Sequence, residues 1–372
     1  EEAPVKPIVV IAEAYGEQEE KLKVPFVGNT GAELLRMMIE AELIEATSRD
    51  HEDIHAYWSM GDPHLLNRVW KNHPEIYRTN VFNLHPPGNK LELLCGPRAE
   101  GIPGYPALLK SLYVRQEYSG ELDRLADELL RADPNLIIAL GNTPLWALAG
   151  KAGGITKIRG YTFSSTHTVE GFKVLPTYHP SYILRGKWEE RPTVIADFMK
   201  AKRQAEFPEI RRPPREIWIE PGLGDIREFI DRYVKGCDIL SVDIETYGSR
   251  ITCVGFAPGT GAAIVIPFDD ERTANGSYWK TSADEKACWR IIGSVLGDRG
   301  IKKLFQNGAY DIAFLLRAQG IRTYGAEEDS MLLSHALQPE ALKGLGYLGS
   351  IFSDEGEWKH LRKKHETIKR DD

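Results

Sequence analysis

Asp243 and Glu245 stand two residues apart in LSVDIETYG (residues 240–248), a stretch that otherwise reads as a strand. A period of two places both carboxylates on one face, where two anions repel each other. A divalent cation between them removes that penalty. Asp311, in FQNGAYDIAFLL, is the expected third acid, near a helix start and beside Asn307 and Tyr310. Such acids holding two Mg²⁺ (or Mn²⁺) ions could activate water and stabilise the leaving oxygen of a phosphodiester.

A second group of residues suits different chemistry. Glu13 lies in IAEAYGEQ, Phe26 in VPFVGNTGAELL, Asn80 and Asn89 in TNVFNLHPPGNK, and His179 in PTYHPSYILRG. Phe26 can stack on a flipped-out base. Asn80 offers a donor and an acceptor to a pyrimidine edge. A histidine just before a helix start can hydrogen-bond a carbonyl oxygen that gains negative charge. SYILRG adds Ser181, bulky side chains that could wedge into a duplex, and Arg185 for phosphate.

The elements that must position these groups follow from periodicity. VKPIVVIAEA and NLIIALG read as buried strands, TNVFNLHPP as a short strand with Asn80 at its start, and FKVLPTYHPSYILRG as a strand, turn and helix start. GAELLRMMIEAEL, GELDRLADELLRADP and NTPLWALAG have helical spacing. Strands alternating with helices argue for an open parallel sheet, with ligands beyond the carboxyl ends of its strands. The proline-rich stretch 206–216 separates an expected first domain, 1–205, from a second, 217–372. The second begins with a three-strand antiparallel meander. A helix capped by Ser282, a strand and helix around Asp311, and a helix in EEDSMLLSHALQP follow.

The 372 residues carry a net charge of −7, so any nucleic-acid contact must come from local basic patches such as 151–159, 211–215 and the tail KHLRKKHETIKR. No apolar run reaches membrane-spanning length, and no membrane partner is expected. The start EEAPVKP has neither an initiator Met nor a secretory core, as in a fragment or processed product. Four scattered cysteines without a CxxC pair suit reduced thiols in a cytoplasm. The stretch RDHEDIHAYWSMGDPHLLNRVWKNHPEIY reads as a polar surface insertion, although His51 and His55 have the spacing of a metal pair.

SVDIETYG, the following strands, LFQNGAYDIAFLL and EEDSMLLSHAL together resemble the 3′→5′ proofreading exonuclease domain of family A DNA polymerases, over residues 215–355. The resemblance implies a ribonuclease-H-like fold and two-metal hydrolysis of a 3′-terminal nucleotide. Asp243, Glu245 and Asp311 would be the metal ligands, Asn307 and Tyr310 would lie beside the DNA strand, and Asp329 would support them. The family's third motif, a Tyr followed four residues on by an Asp, is missing: Tyr347 is followed at that offset by Ile351. The expectation is therefore a truncated, weak or dead exonuclease.

VPFVGNTGAELL, HPPGN and PTYHPSYILR resemble the uracil-DNA glycosylase superfamily, nearest its family 4, over residues 7–200. By that resemblance Glu13 would help place the attacking water, Phe26 would stack on uracil, Asn80 would read its edge and His179 would stabilise the departing uracil anion. Tyr15 and Asn89 would belong to the base pocket. Tyr15 replaces a motif proline, where its bulk could shape or fill that pocket. Leu84 replaces a cluster-ligating cysteine, and Cys95 alone cannot hold a cluster, so no iron–sulfur centre is expected.

The two resemblances imply an α/β chain: a uracil-DNA-glycosylase-like three-layer parallel-sheet domain followed by a ribonuclease-H-like exonuclease domain. This order resembles the front of phage-type family A DNA polymerases. It implies a polymerase domain beyond residue 372, a bacterial host cytoplasm, and DNA that is single-stranded or frayed at its 3′ end. The alternative is a first domain that binds DNA or senses uracil without catalysis.

Overall fold

The computed structural model describes residues 7–151 and 154–355. It divides into two compact units, Glu1–Arg211 with Gly346–Asp372, and Arg212–Leu345. The basic tail 359–370 lies outside the described residues, as do two residues of the 151–159 patch.

The first unit runs β1 (Ile8–Ala14), α1 (Glu17–Leu22), α2 (Asn29–Glu40), α3 (Ser48–Met60), α4 (Pro63–Asn72), β2 (Ile76–Phe82), β3 (Cys95–Gly96), β4 (Tyr113–Val114) and α5 (Ser119–Ala132). It continues with β5 (Leu136–Leu140), α6 (Asn142–Ala149), α7 (Ile155–Ile158), β6 (Phe163–Thr166), β7 (Glu170–Thr177), α8 (Pro180–Leu184) and α9 (Arg191–Gln204). The main sheet has the order β2-β1-β5-β7-β6, parallel except for the edge strand β6. β5 is apolar throughout, and β1 is apolar up to Ala12, because both faces are covered. Val10, Ala12, Ile138 and Leu140 face one apolar cluster, and Val9, Ile11, Ile137 and Ala139 face another. The chain goes from β1 to β2 on one side and places β5 on the other. Such a reversal of strand order opens a crevice at the carboxyl ends.

Asn80 is the fifth residue of β2, which begins upstream at Ile76, rather than lying at a strand start. The expected polar surface insertion is instead the helical pair α3 and α4. Their basic residues and histidines sit outward, Asp50 and Asp53 are buried with hydrogen-bond partners, and Ile54, Tyr57, Leu66, Val69 and Trp70 join the first apolar cluster. Helical periodicity hides that apolar face in a sequence dominated by His, Asp and Glu. This pair also holds the Pro25–Phe26 turn. The Trp70 indole N–H donates to the Phe26 carbonyl at 2.9 Å, and Arg78 donates to the Pro25 carbonyl at 2.9 Å while lying over the Trp70 ring. Phe26 has φ of 61°, a left-handed conformation unusual for a bulky residue. A Cβ at Gly31 would fall 1.9 Å from the Phe26 oxygen, so only glycine fits there.

The second unit contains β8 (Glu216–Ile219), α10 (Leu223–Phe229), β9 (Leu240–Tyr247), β10 (Arg250–Ala257), β11 (Ala262–Pro267), α11 (Ser282–Gly297), β12 (Lys303–Phe305), α12 (Gly308–Gln319), β13 (Ala326–Asp329) and α13 (Ser330–Leu337). Its sheet order is β13-β12-β9-β10-β11-β8. β9, β10 and β11 form the expected antiparallel meander, and β12 and β13 add in parallel beside β9. The sheet is mixed, its antiparallel meander flanked on each side by parallel strands. Leu240, Val242 and Ile244 enter the core of this unit, so the alternation turns Asp243 and Glu245 to the opposite face.

Three local expectations change. Thr281, not Ser282, caps α11, its hydroxyl accepting from the Asp284 amide. EED (residues 327–329) belongs to β13 rather than to a helix. Glu216, the last residue of the expected linker, already pairs in β8. The chain then enters α14 (Leu345–Phe352), and from Gly346 it packs with the first unit. Among the described residues no helix is long and apolar enough to cross a membrane.

Replacing Trp70 by Phe keeps an aromatic ring, trims the indole and leaves the buried Phe26 carbonyl without its donor. The expected loss is about 1–3 kcal/mol, read as a lower urea midpoint for the first unit. An unchanged midpoint would show that the indole N–H does not hold the turn.

Candidate functional site

Four elements of the first unit end at one crevice. β1 delivers Glu13, β2 delivers Asn80, the start of α6 just after β5 delivers Thr143, and the turn after β7 delivers His179. A cavity of about 290 Å³ is lined by Glu13, Tyr15, Phe26, Asn80, Asn89, His179, Ser181 and Arg185 among others. The residues expected to bind or excise a base, together with Ser181 and Arg185, therefore line one cavity. A neighbouring cavity of about 610 Å³ shares Glu13, His179, Ser181 and Arg185, and its far wall includes Lys110, Thr143 and Tyr182.

His179 precedes α8, and its ring caps that helix. The Ser181 amide donates to Nδ1 at 3.2 Å, and the Ser181 hydroxyl lies 2.7 Å from the same nitrogen. Arg185 donates to that hydroxyl at 3.1 Å. Nδ1 is thus the acceptor, which assigns the ring proton to Nε2 as an available donor. Burial, aided by the charge of Arg185, lowers the His179 pKa to about 4. The imidazole is neutral near pH 7 and can donate one hydrogen bond to an oxygen that becomes negative. Ser181 is occupied with His179 and Arg185. Ile183 is fully buried and cannot wedge into a duplex. Tyr182 packs against Tyr178.

Glu13 is held by a residue that the sequence reading did not single out. Thr143 donates its hydroxyl to the Glu13 carboxylate at 2.6 Å. Burial raises the Glu13 pKa, and the Thr143 bond opposes the rise. Arg124 is a second unanticipated contributor. It donates to the carbonyls of Asn80 and Val81 and so fixes the end of β2. In the sequence both look like ordinary helix residues; the nearest cue was the GNT turn directly after a buried strand.

Tyr15 is buried in the cavity wall, its hydroxyl donating to the Lys23 carbonyl at 3.3 Å and its amide to the Leu84 carbonyl at 3.1 Å. Asn89 lies beside His85, 2.9 Å from its ring nitrogen. Leu84 packs against the second apolar cluster, and Cys95 is buried with its thiol against the Leu91 carbonyl. An iron–sulfur cluster needs several thiolates, and Cys95 is the one cysteine before residue 237. These residues do not fit a cluster.

In the second unit, Asp243 and Glu245 share an exposed face of β9. Asp311 on α12 is buried and accepts the Ile244 amide at 3.1 Å. Burial, then the charge of Glu245, raises the Asp243 pKa. Burial also pushes Asp311 up to about 6, with Asp243 adding to the rise and the Ile244 amide opposing it. These hard oxygen donors suit a divalent cation in chemical type. Among the described residues, however, no group of three or more His, Cys, Asp or Glu side chains converges to hold an ion. Asp311 still lies near enough for the charges of Asp243 and Asp329 to raise its pKa, and the His51/His55 pair gathers no third ligand among the described residues. Asp329 is a double cap: it accepts the amides of Asn307, Gly308, Met331 and Leu332. Burial would raise its pKa, but those four bonds hold it below the usual range. Asn307 adopts a left-handed conformation at the head of α12, and the Tyr310 hydroxyl lies 2.7 Å from that of Thr246.

The family model of the Uracil DNA glycosylase superfamily matches residues 2–202. The chain belongs to the uracil-DNA glycosylase superfamily. Over 197 residues it is 30% identical to a type-4 uracil-DNA glycosylase of Thermotoga maritima, covering 52% of this chain and 76% of that one. It is 27% identical to the type-4 uracil-DNA glycosylase of Sulfurisphaera tokodaii, covering 55% and 73%. Among solved structures it is similar to Brucella melitensis NrnC, at 22% identity and a TM-score of 0.27, over 39% of this chain and 63% of that one. It is also similar to the EXD2 exonuclease domain soaked in Mn and GMP, at 15% identity and a TM-score of 0.24, over 33% and 58%. The chain spans less than two thirds of the length of either of these two structures.

The depressed pKa of His179 sets a pH dependence. The unfolded ring protonates near 6.5, the folded ring near 4. Stability from the buried neutral ring is complete above pH 6.5 and is lost as pH falls toward 4. The variant His179→Gln lacks this loss, so its stability relative to the native chain should improve between pH 7.5 and 4.5 in urea titrations. A gap that stays constant would mean the ring is free to protonate.

Proposed function

We propose that the first unit excises uracil from DNA. The observation that carries this reading is the cavity that brings Phe26, Asn80, Glu13 and the Nε2 donor of His179 together. A flipped-out uracil would stack on Phe26 and present its edge to the Asn80 amide. As the glycosidic bond breaks, negative charge moves onto the base, and His179 Nε2–H donates to its carbonyl oxygen. Glu13, fixed by Thr143, orients the attacking water, and the chemistry needs no metal. Ser181 and Arg185 hold the histidine, and Arg185 remains at the surface for a phosphate.

The second unit is proposed as a 3′→5′ exonuclease-like module that hydrolyses DNA weakly. Asp243 and Glu245 would bind Mg²⁺ or Mn²⁺, which polarises the scissile phosphate and activates water. Asp311 would join them through its second carboxylate oxygen while the first keeps the Ile244 amide, and Asp329 caps two helix starts. The polymerase continuation, the phage setting and the preference for frayed 3′ ends rest on the sequence resemblance alone. A second reading of the first unit, uracil binding without excision, is favoured by Tyr15, whose buried ring narrows the cavity where the family carries a proline.

A 3′-labelled single-stranded oligonucleotide with one uracil separates these readings. Alkali-labile cleavage at the uracil in EDTA, reduced about 10²–10³-fold in His179→Ala, is the expected result. Binding without an abasic site would leave the sensing role. In Mg²⁺, slow release of the 3′ label that disappears in Asp243→Asn is expected, and release at full proofreading rates would overturn the weak-module reading.

A further inference from the structure

A cluster of buried charges lies in the first unit outside the cavity, and the chain's last described segment completes it. Arg159 is 2% exposed. Its Nε donates to Asp197 Oδ2 at 2.8 Å, a second nitrogen donates to the other carboxylate oxygen, and Nη1 donates to Ser350 Oγ at 2.8 Å. The Tyr347 ring lies 5.6 Å from the same guanidinium. Asp197 also accepts the Thr177 hydroxyl at 2.5 Å. Lys200, 1% exposed, donates to the carbonyls of Gly160, Ser350 and Ser353. Tyr161 donates to the Gly346 carbonyl, and the hydroxyls of Thr193 and Tyr347 lie 2.8 Å apart.

Two buried cations of the first unit thus take partners from residues 346–353, reached only after the intervening residues 212–345. A buried cation without its acceptors is strongly disfavoured, so this segment is a structural part of the first unit. The chain of bonds also has a direction. Ser350 fixes the Arg159 guanidinium, which fixes Asp197 from two sides, and Asp197 holds Thr177. Thr177 is the last residue of β7, two residues before His179. The Thr177 carbonyl accepts the Gly141 amide at 2.9 Å, and the turn starting at Gly141 carries Thr143, the partner of Glu13.

We infer that residues 346–354 act as a positioning element for the base-excision site, through Arg159, Asp197 and Thr177 on the strand end that carries His179. The inference rests on the reading of His179 given under Proposed function. It makes the glycosylase unit discontinuous in sequence. It also gives residues 212–345 a covalent route to influence excision, since they hold the segment at its leading end.

The test uses the full chain carrying Ser350→Ala, with Ser350→Thr as the variant that keeps the hydroxyl. Ser350→Ala should lower kcat for uracil release from a single-stranded oligonucleotide about tenfold and leave KM within about twofold. Amide hydrogen exchange should rise over residues 174–179, and Ser350→Thr should restore both readouts. Thr177→Val, which cuts the same chain at its other end, should give the same split. Unchanged exchange at the end of β7 in both Ser350→Ala and Thr177→Val would overturn the inference. So would a joint fall of kcat, KM and melting temperature that threonine does not rescue. If the native chain releases no uracil, the glycosylase reading has failed, and the exchange comparison alone then decides whether the segment positions the strand end.

Discussion

The Ser181 amide pointing at Nδ1 of His179 is the constraint on which the first unit's chemistry depends. An imidazole that accepts at Nδ1 must carry its proton on Nε2. Its burial removes the competing protonated state, since the ring titrates near 4 rather than near 6.5. A neutral donor is what a departing base anion requires: it stabilises developing charge without already holding a strong counter-ion. The cap works only because Pro180 begins α8 immediately after the histidine, so the first free amide of the helix belongs to Ser181. β7 must then end at Thr177 to bring this short helix to the crevice.

The stacking residue is constrained in a different way. Phe26 is held in a left-handed conformation by contacts to its own backbone, with Trp70 on its carbonyl and Gly31 leaving room beside the same oxygen. Strain of this kind persists only where the surroundings over-determine it. Here the surroundings are α4 and the first turn of α2. A charge-rich helical pair thereby becomes a support for the base pocket.

Carboxylates illustrate how similar residues separate by environment. Asp243 and Glu245 face outward on β9 and repel each other. Asp311 spends its charge on the Ile244 amide. Asp329 accepts four amides and joins two helix starts. A carboxylate satisfied by several backbone donors is a poor candidate for giving them up to a metal. The second unit therefore divides its acids between exposed and structural duties on one mixed sheet.

The sequence by itself determined a good deal. Apolar runs such as IVVIA and LIIAL required a sheet covered on both faces, and alternation in LSVDIETY set the two acids opposite the core. The motif stretches around Glu13, Phe26, Asn80 and His179 were enough to indicate the glycosylase superfamily. All of these are local: periodicity and short-range spacing carry them. Only the tertiary structure decided that Thr143 holds Glu13, that Trp70 holds Phe26, that Asp329 ties the start of α12 to that of α13, and that residues 346–353 satisfy Arg159 and Lys200. Each includes a bond between groups twenty to almost two hundred positions apart. Hydrogen-bond satisfaction of a buried group depends on which atoms the fold brings within about 3 Å, and no local pattern records that.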